Sequence, residues 1–245
     1  MTAVVPRPTQ PRIPTPRMPL EPVTRSTPAV AYQRVIHQLV RREFRLLAGL
    51  ASWAPVDDAV RTAEITRHAD LMARVLLQHH ATERELLWPA LFRCLPDPEA
   101  ARDVVGVWTS RTALLDHTLR DLSTVARQWA VAETAPARDA FVRACTRLAD
   151  EVDRATAAEE RELLPLLSAY LPDGEWAAIT RRATTTLSGR EQMLVLGLAL
   201  EDASAIDRAR LLAGLSPAAR TAWRMFGRRD FHSAVVRLRG APPAA

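Results

Sequence analysis

With 245 residues, 48% hydrophobic and 25% charged, the chain can bury a sizeable core and has the balance of an ordinary globular protein: one main domain with an appendage. The net charge of +5 and pI near 10.3 suggest a nucleic-acid partner, but the arginines lie scattered among glutamates and aspartates, a pattern of solvated helix surfaces that argues against one. The longest uniformly apolar run, Met193 to Leu200, is far shorter than the ~20 residues a membrane span needs, and nothing at the N-terminus suits a signal peptide, so a cytoplasmic protein is expected.

Eight glycines in the whole chain, long Ala/Leu/Arg/Glu-rich segments and no run of alternating β-branched residues predict an all-α fold. Residues 1–28 are dense in proline and read as a disordered, partly polyproline-II tail. Helix one covers about 29–52, with His37, Val40, Phe44 and Leu47 as its inward stripe. A histidine in such a stripe is as a rule a hydrogen-bonded core residue, and His37 becomes a ligand candidate only together with the stretches that follow.

Ala54-Pro55 breaks the chain, and Asp57 or Asp58 caps helix two, about 58–95. This helix carries the most informative stretch, His79-His80-Ala81-Thr82-Glu83-Arg84-Glu85-Leu86-Leu87-Trp88-Pro89. His79 and Glu83 are one turn apart and point the same way, so an imidazole and a carboxylate are offered together to a metal. His80, rotated by about 100°, sits beside that face. Pro89 lacks an N–H and crowds the carbonyl four residues back, which predicts a kink or an end just after that turn. Glu64 and His68 are also one turn apart and read as an exposed ion pair, with a second polar layer as the other option.

Pro96-Asp97-Pro98 separates helix two from helix three, about 98–132, whose packing falls to Val104, Trp108, Leu114, Leu115, Leu122 and Val125. His117 lies midway, with Asp121 at i+4; a surface aspartate beside Arg120 is the plain alternative for the latter. Helix four covers about 137–171 and repeats the helix-two pattern as Glu159-Glu160-Arg161-Glu162-Leu163-Leu164-Pro165. Aligning the two prolines pairs Glu159 with Glu83; aligning the Glu-Arg-Glu-Leu-Leu strings pairs Glu160 with it instead. Cys94 and Cys145 have no CxxC spacing and read as buried thiols, with a disulfide as the weaker option.

HHxxExxLLWP at 79–89, His37 before an Arg-Arg pair, His117 on a middle helix and EExxLLP at 159–165 together resemble the hemerythrin-like HHE cation-binding domain family over roughly 31–172. The resemblance implies an up-down four-helix bundle over 29–172 enclosing non-haem iron, ordinarily two ions, and O2 or another small oxidant as partner. Its implied ligands are His37, His79, Glu83, His117 and Glu159, a nitrogen and oxygen set that also suits manganese or zinc. The family carries one more histidine on helix four, four residues before the glutamate. Here that position is Ala155, or Thr156 in the other register, and neither binds metal as an imidazole does. Three outcomes stay open: two metals with the gap filled by water, Asp121 or Glu160; one metal; or a metal-free interaction module. A metal-bearing bundle serves either as an O2-binding, sensing or iron-handling protein or as an oxidase or oxygenase. Glu-x-x-His, HExxH, P-loop and GxGxxG patterns are all absent.

Residues 173–245 read as a helical extension, with helices at about 175–187, 190–201 and 204–214 and a last one after Ser216-Pro217. Trp176, Leu194, Leu198, Leu211, Trp223 and Phe226 either dock it on the bundle or form a homodimer surface.

Overall fold

In the computed structural model, which describes residues 26–241 and 243 with 98–104 as backbone alone, every regular element is helical. Thr27 caps α1 (Pro28–Ser52): its hydroxyl accepts from the Val30 N–H at 3.3 Å, and Pro28 occupies the first turn, where its missing N–H costs nothing. Ser26 Oγ donates to Asp207 at 2.8 Å, so the last residues of the segment read as a tail belong to the helix start. The tail reading of residues 1–25 lies outside the described residues, as does the packing role given to Val104.

Asp58 caps α2 (Ala59–Thr82) by accepting from the Arg61 N–H at 2.8 Å. The expected break at Pro89 takes a milder form. The helix widens into a π-turn over Glu83–Leu87, with the Trp88 N–H bonding the Glu83 carbonyl five residues back, and runs on as α3 (Trp88–Cys94). The extra residue in the turn accommodates the proline that cannot donate to Glu85. After Pro98 come α4 (Pro98–Ala132) and α5 (Ala135–Tyr170), the latter passing through Pro165. α1 packs on α2 and α5, and α4 closes the ring against both, which is the expected up-down bundle.

Two apolar clusters fill the bundle. Phe44, Ile65, Met72, Leu119, Trp129 and Phe141 form part of the larger, and Leu87, Trp88, Leu91, Trp108, Leu163 and Leu167 part of the smaller. Between them, residues 33–37, 79–83, 112–116 and 156–159 bring a buried polar layer from all four main helices. Cys94 and Cys145 are both free thiols.

The extension comprises α6 (Asp173–Arg182), α7 (Gly189–Glu201), α8 (Ala205–Gly214), α9 (Pro217–Ala222), a second π-turn over Trp223–Gly227 and α10 (Arg228–Arg239). α6 stops short of the predicted 187, at the β-branched run Thr184-Thr185-Thr186, which disfavours helix. α7 and α8 lie on α1, and α10 lies on α7. Leu198, Trp223, Phe231 and Val235 join the larger core. A Cβ on Gly197 would fall 2.3 Å from Phe231 Cγ, so only glycine permits this helix crossing. Phe226 is 62% exposed instead of docked: five residues before Phe231, it lies about 140° round the helix from the buried side. No helix among the described residues is long and apolar enough to cross a membrane.

Candidate metal centre

Four groups from three helices meet in the polar layer: His37 of α1, His79 at the end of α2 with Glu83 in the π-turn, and Glu159 of α5, all nearly inaccessible to solvent. One ligand atom each of His37, His79 and Glu159 lies within 4.8 Å of the others. His37 Nε2 is 3.2 Å from Glu159 Oε2 without a well-aligned hydrogen bond, and His79 Nε2 is 3.4 Å from Glu83 Oε1. Glu83 belongs to the cluster through His79 and through Gln33, whose Nε2 donates to Glu83 Oε1 at 2.7 Å. The π-turn matters here, since the widened turn is where Glu83 leaves α2 for the core.

The cluster is short of partners. His37 Nε2, both ring nitrogens of His79 and Glu83 Oε2 are buried and make no hydrogen bond. An orphaned buried polar atom costs about 1–3 kcal/mol, so four in one place would be an expensive arrangement for a purely structural core. Two nitrogens and two carboxylates facing one another suit a divalent cation of borderline or hard character.

The charges point the same way. Burial first, and then the neighbouring His37 and His80, hold His79 well below the usual imidazole range, which keeps it neutral and ready to ligate. Burial and the facing Glu159 carboxylate push Glu83 well above the usual carboxylate range. Burial disfavours a charge on His37, but Glu159 and Glu160 outweigh it and raise its pKa to about 9. Two facing acids therefore favour a positive charge taken up from outside, as a proton or as a cation.

Glu160 resolves the two registers of helix four. It stays outside the cluster and receives the hydrogen bond of His37 Nδ1 at 3.1 Å, while Arg41 holds it at 2.9 Å. That fixes the His37 tautomer with Nδ1–H outward and leaves Nε2 for a ligand, the carboxylate–histidine support common behind metal sites. Thr156 is buried but occupied: it accepts from Arg41 Nε at 2.6 Å and donates to the Val152 carbonyl. Ala155 is half-buried and supplies no donor.

His117 does not join. Its side chain is 71% exposed and faces Asp121, itself 67% exposed, at 3.6 Å on the outside of the bundle. The inward stripe of α4 is Trp108, Thr112, Leu115, Leu119, Leu122, Ala126 and Trp129, spaced alternately by four and three. At about 100° per residue, His117 stands some 200° from both Leu115 and Leu119. Leu114, also read as packing, is 66% exposed for the same reason. Of the inward polar residues of α4, Thr112 and Asp116, the acid is Asp116, which the sequence reading passed over. His80 Nδ1 donates to it at 2.5 Å, and Arg84 pairs with it at 3.0 Å.

Of the two readings of Glu64 and His68, an exposed ion pair and a second polar layer, His68 follows the second, with a different acid. His68 turns inward to Glu43, Nε2 to Oε2 at 2.7 Å, and Arg42 and Arg239 both reach Glu43 Oε1 at 2.7 Å. Arg239 also bonds Glu201 at 2.7 Å, tying α10 and α7 to α1. The signal for this layer was weak, because its key arginine lies 196 residues from Glu43 along the chain.

A family model, the hemerythrin HHE cation binding domain, matches residues 29–168, which is more than half of the chain. No curated protein and no solved structure gives a significant match.

Proposed function

Because the chain belongs to the hemerythrin HHE cation-binding family, we propose that its bundle holds one divalent metal ion, iron in the first place, on His37, His79, Glu83 and Glu159. The observation that carries this reading is the convergence of buried nitrogens and oxygens that make no hydrogen bond. Bound iron would supply exchange between two oxidation states and a position for O2 or another small oxidant. One ion is favoured over two because Ala155 has no donor, His117 faces solvent, and Asp116 is engaged by His80 and Arg84.

The chain's own residues set the conditions. Glu160 and Arg41 hold His37 in the ligating tautomer, and Gln33 turns the Glu83 carboxylate inward. The two apolar clusters above and below keep bulk water from the layer, which strengthens every charge interaction in it. Reversible oxidant binding, sensing or iron handling fits such a closed centre. The test is metal analysis of the purified chain, before and after Fe(II) reconstitution, with its absorption spectrum recorded before and after air exposure. The expected result is close to one iron per chain and a spectrum that responds to air; no retained metal after reconstitution contradicts the proposal.

A further inference from the structure

The extension lies outside the matched family region, yet it closes a pocket over the centre. Trp176, Ile179, Leu187 and Val195 from α6, α7 and the segment between them face Ile36 and Val75 of the bundle, and His79 lies among the lining residues. The space is about 250 Å³, and no acidic or basic side chain other than the His79 imidazole lines it among the described residues. The covering segment is pinned beside His79: Gln78 donates to the Thr184 carbonyl and accepts from Thr185 Oγ1 at 2.9 Å. Tyr32 and Trp176, with rings 5.1 Å apart, brace one wall.

We infer that this pocket binds a small neutral organic molecule, of about one ring or a short chain, beside His79. The inference rests on the reading of the cluster as a metal centre and adds a small-molecule site beside one of its ligands. Three observations select the occupant. A charged molecule would lose its hydration to apolar walls without gaining a counter-ion. An apolar cavity of roughly 150 Å³ already holds benzene, and drug-sized ligands take ~300–1,000 Å³, so the space suits a single ring with a substituent. Finally, the walls offer an occupant few free donors: His79 is 3% exposed with both ring nitrogens buried. The lining hydroxyls of Thr82, Thr180 and Thr185 already donate within the protein, to Gln78 and the Ala177 carbonyl.

The experiment titrates the full chain calorimetrically with phenol and with benzoate, first metal-free and then loaded with Co(II), whose visible spectrum is followed. The expected result is phenol binding that exceeds benzoate binding by about tenfold or more, together with a shifted cobalt spectrum. Two pocket-filling variants, Val195→Trp and the exposed Ala183→Trp, are expected to weaken phenol binding at least about tenfold without lowering cobalt stoichiometry. If Val195→Trp fails to fold, Ala183→Trp decides. Absent phenol binding, equal binding of benzoate, or phenol binding indifferent to the filling overturns the pocket. Phenol binding with the expected sensitivity in a chain that takes up no cobalt keeps the pocket and refutes the metal centre.

Discussion

Two buried layers of this bundle contain a histidine beside a carboxylate, and they are built on opposite principles. In the lower one, every acid meets a guanidinium: Glu43 is held by Arg42 and Arg239, and Glu201 by Arg239 and Arg42. In the upper one, among the described residues, no guanidinium pairs with Glu83 or Glu159, and three imidazole nitrogens have no hydrogen-bond partner. A buried acid that brings its own cation is part of the scaffold. A group of buried acids and imidazoles that brings none leaves the positive charge to be supplied from outside.

The largest expected effect breaks the lower layer. Glu43→Ala strands His68 and takes one of their acids from Arg42 and Arg239, which keep Glu201, and thermal or denaturant unfolding should show a loss of about 3–5 kcal/mol, with metal stoichiometry unchanged in the fraction that folds. An equal loss of metal would mean that the two layers act as one. His79→Leu should do the reverse: metal affinity falls by about 100-fold or more, while the metal-free protein keeps its melting temperature or gains, because two unpartnered nitrogens are replaced by an apolar side chain. A clear drop in metal-free stability would show that His79 serves packing.

Glu160→Gln sharpens the contrast within the upper layer, since Glu160 stands outside the cluster, held by Arg41, and orients His37. Metal affinity should fall about 10–100-fold, with coordination number preserved by spectroscopy. The smallest effect is on acid stability. Burial works against the Glu43 carboxylate, but His68, Arg42 and Arg239 outweigh it and hold its pKa at about 2, against 4.5 ordinarily. A depressed acid contributes its full stability above the ordinary value and loses it as pH falls toward the depressed one. Unfolding measured from pH 5 to pH 2 should therefore show a component in that window, absent from Glu43→Gln.

How much of this was legible in the residues depends on how local each signal is. His79 and Glu83 sit four apart on one helix, and their shared direction follows from helical geometry alone. Glu159 and His37 were legible through the repeated proline motif and the inward stripe. His117 came from the family pattern, and the rotation of α4 overrides it; an apolar helix fixes that rotation only through its whole stripe. Counting Leu114 and Leu115 together blurred that rotation by about 100°, so the stripe gave no sign that His117 faces outward. The π-turn was half legible: Pro89 announced a disturbance, but not that the helix would widen and continue. His68 was legible only as the lesser option of a second polar layer, and Glu43 not at all, since their partner Arg239 arrives only after the extension has folded back over α1.

The most direct test of the central claim is X-ray absorption at the metal edge of the iron-reconstituted chain and of His79→Leu. One ion bound by two imidazoles and oxygen donors, with no metal–metal scattering and with binding lost in the variant, is the predicted result. Metal that stays bound with an unchanged first shell in His79→Leu would contradict it.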